Sequence, residues 1–406
     1  FMRGIAASYN IRKIKGTFFY SRKRIDAKVS DTLENGEPAA ISSLQQSGIH
    51  STPSEIQGKH AVLQTLYGGN LNYSGNRASM GLTFIHDQLH LPFQSSPGFD
   101  DEKSKQQQFS TGLDYQFIVR NFLFFGETAM SDNTGIALLN GVFISLDPRL
   151  GITVLHRYYG GTYQNRFSTS FGESGSSNEK GLYMGITANL TRFISINACF
   201  DRFEFPWLKY QVDAPSKGND LNAQLSYLPS KKLSAVFRYR KRYQQKNTRN
   251  EIPLRYLSSV HSENYRFSIS YSGTKELTLR NRIELMRYKR EAETQTGYLI
   301  YQDIFYKPGS SFSATLRYAL FQTDSYDSRL YEYENDIPGS YSIPSFYDRG
   351  SRSYILLNYS VTKYVEMWLR YAQTFYDNKE VISEGSLSEI QGNTKSDIKV
   401  GVKVKW

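Results

Sequence analysis

The final segment of the chain, from Asp397 to Trp406, reads DIKVGVKVKW and alternates strictly between polar and apolar side chains. The apolar set is Ile398, Val400, Val402, Val404 and Trp406. Successive side chains of a β-strand point to opposite faces, so the segment predicts a strand with one apolar face and one polar face. We interpret Val402, Val404 and Trp406 as the C-terminal insertion signal of a membrane strand.

The same alternation recurs along the chain. It is clearest in residues 182–190, 233–243, 265–271, 277–285 and 312–320. These segments reach about ten residues, whereas strands of soluble sheets usually have ~5–6. A tilted strand that crosses a membrane needs ~9–11 residues, so the length favours transmembrane strands.

Composition agrees with strands that are apolar on one side only. Among 406 residues the hydrophobic share is 39% and the mean hydropathy is −0.51, yet aromatic residues make up 15%. No stretch approaches the ~18 consecutive apolar residues of a membrane-spanning helix. The single cysteine, Cys199, excludes a disulfide scaffold. The aromatic and β-branched content excludes intrinsic disorder.

Predicted connections alternate between tight turns and outer loops, and all the outer loops except 131–133 and 291–293 are long. The short turns are residues 12–15, 73–77, 119–121, 147–149, 191–193, 228–230, 272–275, 307–310 and 361–363. The connections between them are 31–59, 91–104, 131–133, 160–178, 205–217, 244–259, 291–293, 324–348 and 377–393. Short periplasmic turns and long extracellular loops are typical of bacterial outer-membrane barrels. We therefore predict one all-β domain, residues 1–406, forming a transmembrane antiparallel β-barrel of roughly 18–20 strands in the outer membrane.

The strand count carries a further expectation. The pattern indicates about 19 strands, whereas bacterial barrels of this kind have an even number. The first strand would also have to run from the outside inward. We therefore expect at least one strand, and an N-terminal region, upstream of this sequence.

Several loop segments resemble the barrel region of Bacteroidota outer-membrane proteins labelled helix-hairpin-helix domain-containing proteins. The matching segments are SLQQSGIHSTPSEIQGK (43–59), NFLFFGETAMS (121–131), DRFEFPWLKYQVDAPSKG (201–218), RYALFQTDSYDSRLYEYEND (317–336) and LSEIQGNTKSD (387–397). Barrel alternation does not dictate these segments, and they span most of the chain. Members of that family carry a helix-hairpin-helix region before the barrel. The resemblance implies a fold and a location rather than an activity.

Catalytic and cofactor motifs are missing from the sequence. It contains no G-x-S-x-G nucleophile motif and no phosphate-binding or dinucleotide fingerprint. His86 and His90 are four residues apart in a strand-like segment, which separates them by roughly 13 Å, too far to share one metal ion. We expect no enzyme activity, no catalytic residues, no cofactor and no metal site.

The chain is basic, with a net charge of +11 and a pI near 9.3. Nucleic acid is an unlikely partner, because the basic residues occupy alternate strand positions and the aromatic residues lie on the opposite faces. A basic cluster is predicted on the lumen face of two strands: Arg238, Arg240, Arg242, Arg280 and Arg282. Either carboxylates from other strands neutralise it in a closed polar core, or it attracts anions, as rings of Arg do in pores.

Two functions fit this picture. The first is a pore or channel for polar, and in particular anionic, solutes. The alternative is an accessory subunit of a multi-protein outer-membrane secretion or protein-assembly complex, in which loops 31–59 and 324–348 would dock partners. The expected partners are outer-membrane lipid, lipopolysaccharide and the barrel-insertion machinery, with other outer-membrane or surface proteins as further candidates.

Overall fold

The computed structural model describes residues 3–94, 106–132, 134–249, 256–386 and 388–405. Parts of the predicted connections 91–104, 131–133 and 244–259, together with Trp406, lie outside these ranges. The strands within them are β1 (Gly4–Ile11), β2 (Ile14–Thr32), β3 (Pro38–Gln45), β4 (Val62–Ser74), β5 (Ala78–Leu89), β6 (Gln107–Val119), β7 (Phe122–Ser131), β8 (Ile136–Asp147), β9 (Leu150–Tyr159), β10 (Glu179–Asn189), β11 (Ile194–Phe205), β12 (Ser216–Ser230), β13 (Leu233–Asn247), β14 (Leu257–Ser272), β15 (Leu277–Arg290), β16 (Glu293–Tyr306), β17 (Phe312–Thr323), β18 (Leu330–Tyr331), β19 (Ser345–Phe346), β20 (Arg349–Ser360), β21 (Val365–Tyr376), β22 (Val381–Ile382), β23 (Ile390–Gln391) and β24 (Thr394–Val404).

One 20-stranded sheet contains every long strand, and the short strands pair as β18–β19 and β22–β23. The predicted all-β antiparallel class and its strand number are confirmed. One added strand is β3, which lies inside the connection predicted at 31–59. The turn predicted at 228–230 is wrong in position, because β12 continues to Ser230.

The single α-helix of the described chain, α1 (Pro53–Gln57), also lies in connection 31–59. Thr52 caps it, since its side chain accepts from the Glu55 N–H and the Glu55 carboxylate accepts from the Thr52 N–H. The backbone N–H groups of Ser51 and Thr52 both donate to the Glu55 carboxylate and hold its pKa below its usual value. Among the described residues, no helix has the length and apolar content to cross a membrane.

The chain divides into two compact units. Unit 1 comprises Phe1–Gly185, Asp201–Gly218 and Asn247–Leu257. Unit 2 comprises Ile186–Phe200, Asn219–Lys246 and Ser258–Trp406. In unit 1, β2 pairs antiparallel with β1, β3 and β4, and each strand from β4 to β8 pairs with the next. In unit 2 the antiparallel order is β14, β15, β16, β17, β20, β21 and β24.

Each long strand has a polar face and an apolar face. In β24, Val400 and Val402 are 66% and 58% exposed on the apolar face. Lys399 lies on the opposite face, where its Nζ binds a carboxylate. The same division holds in β15, where Ile283 and Leu285 are exposed while Glu284 between them is buried. We use "polar face" and "apolar face" in this sense below.

Candidate functional site

Two long connections fold back onto the polar face of the strands in their own unit. We call residues 324–348 in unit 2 the acidic loop and residues 160–178 in unit 1 the arginine loop. Both bring charged side chains against charged strand residues and bury them. These contacts are the most elaborate polar arrangement within the described part of the chain.

An apolar anchor positions the acidic loop. Its two ends meet in the short ladder β18–β19, where Leu330 pairs with Phe346. Both side chains are buried with Leu299 and Phe321 of the adjoining strands. The Phe321 and Phe346 rings pack edge-to-face with centroids 5.4 Å apart. This anchor fixes where the segment after β18 meets the polar face.

That segment is extended and acidic at every second residue: Glu332, Glu334 and Asp336. The Glu332 carboxylate, almost fully buried, lies 2.8 Å from Arg266 Nη2 and 2.6 Å from Arg282 Nη1. Burial by itself would raise the pKa of Glu332, but the charges of Arg282 and Arg266 lower it below its ordinary value. Glu332 is therefore held ionised between two strand arginines.

Glu334 is fully buried and binds the next pair of arginines. Arg352 Nε and Nη2 each donate to it at 2.8 Å, a two-point geometry. Arg370 Nη2 donates to the same carboxylate at 2.5 Å. Arg370 is itself 1% exposed. The three side chains form one ionic group between the loop, β20 and β21, and Arg370 extends it to Asp397 of β24 at 3.2 Å.

Asp336 completes the series. It accepts from Lys399 Nζ at 2.7 Å and from Ser340 Oγ at 3.0 Å. Burial would raise the pKa of this carboxyl, but the hydrogen bonds from Lys399, the Ile337 N–H and Ser340, together with the Arg370 charge, lower it. The loop thus places three carboxylates along a basic wall formed by five strands.

An arginine from an ion pair between two strands also donates a hydrogen bond to the backbone of the acidic loop. Arg317 of β17 makes a two-point contact with Asp303 of β16, at 2.6 and 2.8 Å. Its remaining Nη1 donates to the Tyr333 carbonyl at 2.8 Å. Arg317 and Asp303 are both buried. This guanidinium therefore links two strands to the acidic loop.

The arginine loop has the reverse polarity. Arg166 Nη1 lies 2.5 Å from the Asp87 carboxylate of β5, which is 2% exposed. Gln64 Nε2 donates to the other Asp87 oxygen at 2.8 Å. The loop therefore supplies the cation and the strand supplies the anion.

Most other contacts of this loop are uncharged. The Gln164 N–H donates to Ser131 Oγ at 3.3 Å, and Ser110 Oγ donates to the Gln164 carbonyl at 3.5 Å. Tyr163 is buried in a small apolar cluster with Ala137 and Tyr159. Neutral hydrogen bonds and apolar packing thus hold the part of the loop that precedes Arg166.

A buried ionic group lies where the arginine loop leads into β10. Arg157 is fully buried, with its Nε 2.6 Å from Glu179 and its two terminal nitrogens 2.7 and 3.0 Å from Asp201. The second Glu179 oxygen accepts from the backbone N–H groups of Glu173 and Ser174. Strand charges therefore fix the C-terminal half of the loop.

The predicted basic cluster lies on the polar face but is divided among separate partners. Arg240 makes a two-point contact with Asp220, and Arg242 lies 3.3 Å from the same carboxylate. Arg238 is partly buried, and its Nε has no hydrogen-bond partner among the described residues. Asp220 of β12 thus neutralises part of the β13 row.

Arg280 and Arg282, the two residues of the basic cluster that lie in β15, have different surroundings. Arg282 Nε donates to Ser268 Oγ at 2.8 Å, and its Nη1 binds Glu332. The Arg280 guanidinium lies over the Phe305 ring, 5.0 Å from its centroid. The neighbouring Glu284 binds Arg266 rather than Arg282. The compensating carboxylates come from a strand and from the acidic loop.

The proposed insertion signal is described only in part. Val402 and Val404 are 58% and 55% exposed on the apolar face of β24. Trp406 lies outside the described residues. Val402 and Val404 oppose Met367 and Val365 of β21 across the ladder, so this apolar face extends to the neighbouring strand.

A cavity of about 650 Å³ lies in unit 1 beside β2. Its charged lining includes Arg22, Lys23, Arg24, Asp26 and Arg166. The volume is in the range of small-molecule sites. The cavity places basic side chains next to the arginine loop, so space for a polar solute adjoins that loop.

Sequence reasoning missed the carboxylates that complete these groups. Glu332, Glu334 and Asp336 have the two-residue period of a strand, and the arginines that they meet lie on four different strands. That signal lay in a segment interpreted as a docking loop. Asp87 and Arg166 carry no local signal, because they are 79 residues apart.

No protein-family model and no curated protein sequence matches this chain. Among solved structures it is similar to the FrpB iron transporter from Neisseria meningitidis, with 12% identity and a TM-score of 0.46 over 99% of this chain and 71% of that chain. It is also similar to the outer membrane channel DcaP of Acinetobacter baumannii, with 12% identity and a TM-score of 0.37 over 86% of this chain and 99% of that chain. A third is OmpT, an outer membrane protein of Vibrio cholerae, with 10% identity and a TM-score of 0.35 over 85% and 98% of the two chains. At these values the similarities assign no activity to this chain.

Proposed function

We propose that this protein is a β-barrel of the bacterial outer membrane whose polar interior forms a loop-restricted passage for polar solutes. The exposed apolar faces support the membrane location. Leu316, Tyr318 and Leu320 alternate along β17 and are 41%, 52% and 47% exposed. Neighbouring strands repeat the pattern, whereas soluble monomers rarely expose apolar patches larger than a few hundred Å².

The restriction rests on one observation: Glu332, Glu334 and Asp336 are buried against strand cations. If the polar faces enclose a lumen, the acidic loop occupies part of it. Ion pairs hold this inner segment, with apolar packing confined to the anchor at Leu330 and Phe346. Charged groups regain their solvation when they separate in water, so an ionic contact of this kind suits a loop that moves aside.

The membrane location is tested at β24. Val402→Arg should destabilise the inserted protein by about 2–4 kcal/mol, because it places a charge on the lipid-facing side near mid-membrane. Lys403→Ala, one residue away on the polar face, is the matched control and should cost little. Urea titrations in lipid vesicles measure both. Equal costs for the two variants would contradict the assigned facing.

Single-channel recording in planar bilayers tests the passage. The triple variant Glu332→Gln, Glu334→Gln and Asp336→Asn should conduct more than the parent, since the loop loses its ionic contacts. It should also favour anions, because the strand arginines lose their carboxylates. The control is Glu34→Gln with Glu37→Gln and Glu291→Gln, which removes the same charge from exposed positions. Absence of conductance in both the parent and the triple variant would overturn the proposal that the protein forms a passage.

A second candidate is an accessory subunit of an outer-membrane secretion or assembly complex. The observation that favours it is aromatic exposure between β11 and β12, where Trp207 and Tyr210 are 64% and 89% exposed. Exposed Trp and Tyr side chains are enriched at protein interfaces. Purification in a mild detergent should then recover a stoichiometric partner with the parent, and Trp207→Ala with Tyr210→Ala should lose it.

A further inference from the structure

The apolar face of unit 2 ends in a basic cluster in the halves of β13, β14 and β15 that lie away from turns 231–232 and 273–276. Lys241 of β13, His261 and Glu263 of β14, and Arg287 and Lys289 of β15 line a cavity of about 230 Å³. Arg287 and Lys289 follow Ile283 and Leu285 at alternate positions of β15, so the four side chains share one face. The cluster therefore continues the apolar face rather than the polar one.

Aromatic side chains join the cluster to that face. The Tyr239 and Tyr265 rings lie 5.0 Å apart, each two residues from a member of the cluster. Tyr243 and His261 pack at the same centroid distance. Tyrosine is enriched where the apolar band of a membrane barrel meets water. The cations thus lie just beyond an interfacial aromatic layer.

The cluster carries an excess of positive charge. Lys241 Nζ lies 3.2 Å from the Glu263 carboxylate, its one ion-pair partner in the described chain. Arg287 opposes Glu263 across the β14–β15 ladder, and Lys289 opposes His261. Neither Arg287 nor Lys289 makes an ion pair within the described ranges. Two cations therefore remain available to an anion outside the protein.

Unit 1 repeats the arrangement on its own strands. His156 of β9, Lys180 of β10, and Arg202 and Glu204 of β11 line a cavity of about 300 Å³. Lys180 is followed on the same face by Leu182 and Met184, which are 40% and 43% exposed. Arg202 Nη2 binds Glu204 at 3.0 Å, and Lys180 Nζ lies over the Tyr158 ring at 5.5 Å. Lys, Arg, His and Glu thus occur together beside an apolar face in both units.

We propose that both cavities bind the phosphate groups of membrane-lipid headgroups, with the acyl chains lying on the apolar face below. This inference rests on the membrane location proposed above. Lys and Arg donate charge-assisted hydrogen bonds to phosphate, and basic residues at a membrane surface attract anionic lipid. The apolar band beneath each cluster distinguishes a lipid site from a site for a free anion, because only a lipid uses both parts.

The purified full chain in a neutral detergent allows a direct test. Native mass spectrometry and thermal-shift titration would follow binding of bisphosphorylated lipid A, the same lipid after phosphate removal, and inorganic phosphate. The test variant is Lys241→Ser with Arg287→Ser and Lys289→Ser. The control is Lys231→Ser with Lys232→Ser and Lys275→Ser, which removes equal charge at the opposite ends of β13 and β15. Heat-modified electrophoretic mobility verifies folding of both variants.

The parent and the control should bind the bisphosphorylated lipid at two sites, and the test variant should keep only the unit 1 site, because affinity at the unit 2 site should fall at least about tenfold. The dephosphorylated lipid should bind all three proteins alike. An equal number of bisphosphorylated lipids bound to parent and test variant would overturn the proposal. A response to inorganic phosphate as strong as the response to lipid A would overturn the headgroup assignment. The Val402→Arg experiment measures the stability of the inserted protein and does not depend on lipid A binding. Failure of the proposed membrane location can therefore be distinguished from failure of the proposed lipid sites.

Discussion

The acidic loop and the arginine loop differ in the sign of the charge that they bring to the strands. Both cover polar strand faces, and both bury ionised groups. The acidic loop supplies Glu332, Glu334 and Asp336 to strand cations. The arginine loop supplies Arg166 to one strand carboxylate. Neutral hydrogen bonds and the buried Tyr163 hold its N-terminal half, and its C-terminal half donates backbone N–H groups to Glu179.

The difference follows from the walls that the loops meet. In unit 2 the polar face presents one cation on each of five strands to the acidic loop, and these cations would repel one another without compensation. The three carboxylates of the loop neutralise them. In unit 1 the wall around Asp87 includes Gln64 and Gln108, so one cation suffices. The acidic loop should therefore depend on charge far more than the arginine loop does.

The largest expected effect is at Glu334. Glu334→Gln removes the carboxylate that Arg352 and Arg370 share, although Arg370 keeps Asp397 at 3.2 Å. Breaking a buried pair from one side costs about 3–5 kcal/mol. The loss should appear in urea unfolding in vesicles and as faster proteolysis within residues 324–348. Glu37→Gln, at an exposed position, is the control and should change neither measurement.

A smaller effect is expected at Arg166. Arg166→Met removes one ion pair, while Asp87 keeps its hydrogen bond from Gln64 and the loop keeps Gln164 and Tyr163. The buried carboxylate is then only partly satisfied, which costs about 1–3 kcal/mol. Proteolysis should increase within residues 160–178 and not within 324–348. A loss as large as that of Glu334→Gln would contradict the contrast between the loops.

Local periodicity explains how much of the fold was predictable. The side-chain direction of each residue in β15 follows from its neighbours, so alternation alone puts Arg282 and Ile283 on opposite faces. Turns such as the one between β16 and β17 follow from Pro308 and Gly309 in the same way. Such inferences need only a few adjacent residues.

Loop paths do not follow from local pattern. Arg282 and Glu332 are 50 residues apart, and nothing near either residue specifies the other. The acidic alternation at 332, 334 and 336 was visible, but its meaning depends on the anchor at Leu330 and Phe346. The partner of Arg240, Asp220, depends on the register between two strands, which periodicity leaves open.

Acid should loosen the acidic loop. The pKa values of Glu332 and Asp336 are lowered on folding, chiefly because nearby cations outweigh burial. A carboxyl with a lowered pKa stabilises the folded state above its unfolded pKa, and this contribution is lost as pH falls through the folded value. Pepsin cleavage within 324–348 should therefore accelerate below about pH 4. The variant Glu332→Gln with Asp336→Asn should show a weaker pH dependence, and an unchanged dependence would reject this origin.

The smallest expected effect is the response to salt. Raising NaCl from 0.1 to 1 M shortens the Debye length from about 10 Å to about 3 Å, which weakens pairs that water can reach. Lys399, with a side chain 28% exposed, makes the most accessible contact of the acidic carboxylates. Its pair with Asp336 is worth roughly 0.2–1 kcal/mol, so proteolysis within 324–348 should rise about twofold. Cleavage within 160–178 should stay constant, because the strand carboxylates that hold that loop, Asp87 and Glu179, are 2% and 0% exposed. Lys399→Gln should remove most of the salt response, and equal salt dependence of both loops would show that charge does not distinguish them.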